Sequence, residues 1–422
     1  MNVIKQIQAL KSNINIRHGI LYTFFAFINN GVGFLLLLIL AKFLEPKGYG
    51  ALNLFTSVIS LLNIIISLST TGYISVSFFK RPSEVIRQII AVCIITTSVV
   101  LIILSIILLL CPAFIEEVSG LEVKYLWIGI FISYFQVFNT INLDIWRLEE
   151  KPTKYGVYSL SFSIISFVLS FIFVVNLHFG WEGRIYAWLL IGGIYSIISI
   201  VFLIGRGYLR LILPDKNIFK QTFIYSLPLL PHLASYWLKQ GFDKFIINYY
   251  YNEQIVGYYS FAMNLAAIIT MIGTAFNSTN SVFIFKTLSK NSDNNRSRLN
   301  RQNRIMTIVF IIVALLTIFG SGTFIYFIMP DYIESVIYIG PLCIGALFQC
   351  VYLIWVNYIF YYQKTKKLML ISMSSALLQF LLSIMFTRYA VMYTAIISMI
   401  GSAVTMLMVF FYSKKLLAIS KV

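Results

Sequence analysis

ILYTFFAFINNGVGFLLLLIL, residues 20–40, runs for 21 residues without a charge. About 20 apolar residues in helical conformation span the hydrocarbon core of a bilayer, so this stretch reads as a transmembrane helix. It is too long for the apolar core of a cleaved secretory signal, and no small-residue cleavage site follows it. The same pattern recurs along the chain, near 50–72, 89–111, 125–146, 155–177, 185–205, 222–248, 255–278, 305–329, 336–360, 368–388 and 391–412. Charged residues make up only 11% of the 422, against about 25% in a soluble domain. The expected fold class is therefore an all-α integral membrane protein of about 12 transmembrane helices, with little room for a soluble catalytic domain.

The net charge of +17 would fit a nucleic-acid partner, but its distribution argues for topology instead. With the N-terminus placed in the cytoplasm, 25 of the 32 Lys and Arg residues fall on that side and 5 on the other. Lys239 and Lys244 remain, inside a span. This is the positive-inside bias, and it places both termini in the cytoplasm without invoking nucleic acid. In residues 1–17, Val3, Ile7, Leu10 and Ile14 share one helical face. That suits an amphipathic helix lying on the membrane, with a frayed cationic tail as the alternative.

The two halves echo each other. GYGALNLFTSV begins at Gly48 and GYYSFAMNLAA at Gly257, an offset of 209, while the basic turns at Lys151 and Lys364 are offset by 213. Six spans per half give both halves the same orientation, as in parallel repeats related by an axis along the membrane normal. The expected organisation is an amphipathic segment 1–17, an N-lobe 18–205, a basic linker 206–221, a C-lobe 222–412 and a basic tail 413–422. A cleft between two such pseudo-symmetric lobes suits alternating access.

FIYSLPLLPHLASYWLKQGFDKFIINYYY, residues 223–251, is the most polar of the spans. Pro228 and Pro231 lack backbone donors and should kink or break the helix as a hinge. Lys239, Asp243 and Lys244 follow, and an ionisable group inside a membrane is a functional candidate by default. As a bland alternative, Lys239 and Asp243, four apart, would neutralise each other, and Lys244 would reach the interface along its own stem. Asp144 and Arg147 can pair on one face, with Arg147 either contacting a phosphate or anchoring the cytoplasmic end. Arg17 and His18 stand at the start of the first span with the same two readings. Asn29, Asn30, Asn63, Asn139, Asn142, Asn264 and Asn277 read chiefly as interhelical hydrogen-bonding groups, a few of them available to sugar hydroxyls. Cys93, Cys111, Cys343 and Cys350 lack metal-ligand spacing and read as packing residues. No nucleotide-binding loop, metal cluster or catalytic triad is apparent, so no cofactor is expected.

LAKFLEPKGYGALNLFTSV at 40–58 and SLPLLPHLASYWLKQGFDKFIINYYYNEQIVGYYSFAMNL at 226–265 carry a resemblance. Leu227-Pro228, Asp243-Lys244 and Val256-Gly257-Tyr258-Tyr259 lie within the second, and the Arg147–Tyr155 segment fits as well. The chain resembles the bacterial polysaccharide-repeat flippases of the O-antigen or Wzx type, in the multidrug/oligosaccharidyl-lipid/polysaccharide exporter superfamily. The resemblance implies transfer of an undecaprenyl-diphosphate-linked oligosaccharide from the cytoplasmic to the periplasmic leaflet of the inner membrane. On that reading Lys239 and Lys244 attract the diphosphate, Asp243 tunes them, and Asp243 or Asp144 carries a coupling H+ or Na+. Arg147, Arg17, Asn29 and Asn30 complete the expected substrate-binding set. A polysaccharide polymerase and a chain-length regulator are the implied partners besides membrane lipids. A drug or cation exporter of the same superfamily and a membrane polysaccharide polymerase are the competing readings.

Overall fold

The computed structural model describes residues 14–210, 212–289 and 294–419; the expected amphipathic segment lies mostly outside them. The described residues form helices and no strands. They run α1 (Ile14–Phe43), α2 (Pro46–Ser67), α3 (Thr71–Ser77), α4 (Ser83–Leu110), α5 (Pro112–Ser119), α6 (Val123–Leu148), α7 (Pro152–Phe171) and α8 (Gly180–Gly205). The second half holds α9 (Lys216–Ser226), α10 (Leu230–Gln240), α11 (Phe242–Tyr250), α12 (Glu253–Leu288), α13 (Asn294–Ile328), α14 (Val336–Tyr361), α15 (Thr365–Phe386) and α16 (Val391–Ile419).

Eleven of these helices are long and apolar enough to cross a membrane. The twelfth expected span, 222–248, is not one helix. A 3-10 turn at Leu227–Leu229 separates α9 from α10, and Gly241 separates α10 from α11. Pro228 lies inside that turn, where its missing N–H costs no α-helical hydrogen bond.

The chain packs as two compact units. One comprises residues 1–43 and 54–233, the other 44–53 and 234–422. In the first, α6 packs against α8 and α4, and α1 lies along α7. Its α4 shows why such a bundle suits lipid. Ile86, Ile89, Ile90, Cys93 and Thr97 turn inward, while Ile102, Ile103, Ile106, Leu109 and Leu110 are exposed. Apolar side chains on an outer surface are stable only when hydrocarbon covers them.

In the second unit α14 is the central helix, in contact with α12, α13 and α16. The start of α2 crosses the start of α12 there. A methyl group on Gly50 would overlap the Glu253 carbonyl oxygen, and one on Gly257 would overlap the Pro46 carbonyl oxygen. The two contacts are reciprocal, four residues upstream in each case, so the crossing has local two-fold symmetry at an offset of 207. Small residues permit this backbone approach. Tyr49 and Asn264 lock it, the Asn264 amide donating to the Tyr49 hydroxyl at 2.7 Å.

The sequence echo pairs Gly48 with Gly257, two residues away from the register of this crossing, whereas the second repeat offset has a direct structural counterpart. After α6, the Glu150 N–H bonds to the Arg147 carbonyl and the Lys151 N–H to the Trp146 carbonyl. After α14, the Gln363 N–H bonds to Phe360 and the Lys364 N–H to Ile359. Both are Schellman turns, with Glu150 at φ 55° and Gln363 at φ 56°. They recur 213 residues apart, at the two basic turns singled out in the sequence.

Candidate functional site: a buried polar ladder

Beyond its basic first turn, helix α15 is largely apolar but carries a line of buried polar residues. Ser375, Gln379 and Ser383 are spaced by four, so they share a helical face, and all three are buried. Alongside run α10 and α11, which carry Lys239 and Asp243. Lys239 Nζ donates to Ser375 Oγ at 2.7 Å and to Thr405 Oγ1 of α16 at 2.6 Å. Gln379 Nε2 donates to the Lys239 carbonyl at 3.2 Å. Ser383 Oγ donates to Asp243 Oδ1 at 3.2 Å, and Tyr259 Oη of α12 donates to Asp243 Oδ2 at 3.0 Å. The ladder thus joins α10, α11, α12, α15 and α16 within one unit.

Gly241 decides how the charges are arranged. Its N–H bonds to the Trp237 carbonyl, and a methyl there would come within 2.8 Å of Trp237 Nε1. The helix breaks at this residue, between Lys239 and Asp243. The two therefore do not form the helical ion pair of the bland alternative. Among the described residues, no ion pair joins Lys239 or Lys244 to a carboxylate. Nor does Lys244 extend to the surface, as the bland reading has it. Asp243 is 2% exposed and Lys244 6%. Removing charges from water is costly unless hydrogen bonds and opposite charge compensate. Hydroxyls supply part of that compensation here, leaving the ammonium of Lys239 without an acidic partner.

The remaining candidates lie elsewhere. Arg147 Nη2 donates to Asp144 Oδ1 at 2.7 Å in the first unit, as the i,i+3 spacing suggests. Asn29 Nδ2 donates to Ser159 Oγ at 3.0 Å and its Oδ1 accepts from Ser163 Oγ at 2.8 Å, so Asn29 ties α1 to α7. Asn30 is exposed, and the Arg17 side chain is outside the described residues. Asn139 and Asn142 belong to a buried knot with Tyr158, Tyr195 and Ser199 that joins α6, α7 and α8. Ser375, Gln379, Ser383 and Thr405 were not singled out from the sequence, and Tyr259 entered only as part of the Val256–Tyr259 motif. The four-residue spacing of polar groups on α15 is the signal that reveals the first three.

At the end of α6 a second charged group has formed. Glu149 accepts from Lys151 Nζ at 2.7 Å and from Tyr208 Oη at 2.8 Å, and it pairs with Arg206. Burial opposes its charge, but the Lys151 and Tyr208 hydrogen bonds and the Arg206 charge outweigh that effect. The Glu149 carboxyl is held below its ordinary 4.5. Burial first, and then Glu149, push the Tyr208 phenol up to about 12, so it remains a donor at neutral pH.

A family model described as polysaccharide biosynthesis protein matches residues 16–284. The Haemophilus influenzae protein called Lsg locus putative protein 1 is 24% identical over 392 residues, covering 91% of this chain and 94% of the relative. An uncharacterized membrane protein of the same organism is also 24% identical, over 82% of this chain and 84% of its own. Among solved structures, an inward-facing multidrug resistance MATE family transporter of the MOP superfamily aligns with a TM-score of 0.73. It is 18% identical and covers 91% of this chain and 95% of its own. A MOP superfamily transporter from Pyrococcus furiosus, whose description reports reversed polarity of the binding pocket, aligns with a TM-score of 0.64 at 16% identity, covering 99% of each chain. Fold, membrane helices and family model agree: the chain belongs to the polysaccharide biosynthesis protein family and is a multi-pass membrane protein whose fold is like that of the MOP-superfamily transporters.

Proposed function

We propose that the protein is a flippase for undecaprenyl-diphosphate-linked oligosaccharide repeat units of a surface polysaccharide. It moves them from the cytoplasmic to the periplasmic leaflet of the bacterial inner membrane by alternating access. The observation that carries this reading is Lys239, an intramembrane cation held by Ser375 and Thr405 without a carboxylate partner. A cation so placed is complementary to an anionic headgroup, whereas a cationic drug would be repelled. Lys239 and Lys244 attract the diphosphate, and Asp243 fixes the local charge or carries a coupling H+ or Na+. Arg147 meets the phosphate at the cytoplasmic mouth, while Arg17, Asn29, Asn30 and Asp144 keep their supporting roles in binding and coupling. Pro228 and Pro231 serve as the hinge. A polymerase and a chain-length regulator act on the delivered repeats.

Deleting the gene and profiling lipid-linked sugars by mass spectrometry tests this. Single lipid-diphosphate repeats should accumulate on the inner leaflet, with surface polysaccharide lost. Single repeats that still reach the surface point to a polymerase, and an unchanged profile points to a drug exporter. In complemented cells, the double variant Lys239→Ala/Lys244→Ala should reduce surface polysaccharide at least tenfold at normal membrane abundance. Retained export would remove these lysines from the mechanism.

A further inference from the structure

Helix α8 ends in a third Schellman turn. Gly207, at φ 69°, bonds through its N–H to Ile204, and Tyr208 bonds to Leu203. The turn brings two arginines from distant parts of the sequence to one point. A methyl group on Gly207 would lie 3.7 Å from Arg210 Nη2 and 3.8 Å from Arg87 Nη2. Two guanidinium groups thus approach the same glycine.

The neighbouring charges are unequally compensated. Arg206 is matched by Glu149, which Lys151 and Tyr208 also engage. Arg87 uses Nη1 for Glu84, whose side chain is 67% exposed, and keeps Nη2 toward the glycine. Asp215 is committed to the N-terminus of α9, where its carboxylate accepts from the Asn217 N–H. Arg210 is exposed and makes no ion pair among the described residues. Two like charges brought to one glycine repel each other unless an anion lies between them. A phosphate is the complementary group, because its oxygens accept from two planar forks at once at about 2.8 Å.

We propose that the Gly207 turn, with Arg87 and Arg210, is a binding site for a phosphate-bearing lipid headgroup. It lies at the end of the first unit where α4 begins and α8 ends, the end that the Lys and Arg distribution assigns to the cytoplasm. The position is at headgroup level, just beyond the apolar residues of both helices. The site does not depend on the transport reading. The shared chemistry is a lipid phosphate, drawn either from bulk anionic phospholipid or from a polyprenyl diphosphate.

Native mass spectrometry of the full-length, detergent-purified protein tests the site. Phosphatidylglycerol, phosphatidylcholine, undecaprenyl diphosphate and inorganic phosphate are titrated separately. Binding of phosphatidylglycerol or undecaprenyl diphosphate, stronger than that of phosphatidylcholine, is expected, and whichever of the two binds identifies the source. Arg210→Gln, at an exposed position, should weaken that binding about tenfold with an unchanged unfolding midpoint, as should Arg87→Gln. Lys220→Gln, which removes the same charge outside the site, should leave it intact. Equal weakening by Lys220→Gln would reduce the effect to bulk charge and overturn the site. Binding of inorganic phosphate without either lipid would overturn it as well.

Discussion

At neutral pH, Glu149 accepts two hydrogen bonds and faces the Arg206 guanidinium, all of which favour its ionised form. A carboxyl whose folded value is depressed stabilises the protein above the ordinary value of 4.5, and that stabilisation is lost as pH falls through the folded value. The unfolding midpoint of the detergent-purified protein should therefore drop as pH is lowered below the ordinary 4.5, and Glu149→Gln should flatten the drop. Parallel curves for the two proteins would remove Glu149 from the acid sensitivity. At this scale the sequence identified the ionisable residues of the broken span but not their company. Lys239, Asp243 and Lys244 stand out because charge is rare in an apolar run. Their neighbours Ser375 and Ser383 are common in membrane helices, and they gain meaning only when α15 is laid beside α10 and α11. The alternative Lys239–Asp243 pair does not form, because i,i+4 geometry requires a continuous helix and Gly241 interrupts it.

Among the helices, the contact between α2 and α12 tolerates the least change. A side chain at Gly50 or Gly257 meets a backbone carbonyl, which cannot rotate away as a side-chain tip can. Gly50→Ala or Gly257→Ala should cost on the order of 3 kcal/mol and lower the unfolding midpoint, whereas Gly33→Ala, which meets nothing within 4 Å, should change it little. Thermal unfolding in detergent measures the difference; equal midpoints for all three would contradict the crossing. Hydropathy located eleven helices because length and apolarity are properties of a segment alone. It missed the short α3, α5 and α9, whose helicity depends on packing and on caps such as Asp215. It also left too wide a gap between the spans near 255–278 and 305–329: α12 continues to Leu288 and α13 begins at Asn294.

For the molecule as a whole, orientation is the expectation most directly open to measurement. Cys111 is exposed at the end of α4, and the other three cysteines are buried. If the Lys and Arg bias sets topology, a membrane-impermeant maleimide applied to spheroplasts should label Cys111, and Cys111→Ser should abolish the signal. Labelling only from the cytoplasmic side would invert the topology. The paired turns at Glu150 and Gln363, and the reciprocal glycine crossing, fit a duplicated ancestor better than sequence identity alone does.

The broken span has a further consequence during synthesis. Residues 222–248 are interrupted twice and carry Lys239, Asp243 and Lys244, residue types that cost about 2.5–3.5 kcal/mol at the centre of an inserting helix. Such a segment gains little by leaving the translocon for lipid on its own. The partners that satisfy it, Tyr259 on α12 and then Ser375, Ser383 and Thr405 on α15 and α16, emerge from the ribosome only afterwards. Stable integration of this region should therefore be delayed until the last third of the chain has been made. Chains truncated before α15 should leave it accessible to glycosylation in an insertion assay, and full-length chains should not; equal protection of both would show that it enters unaided.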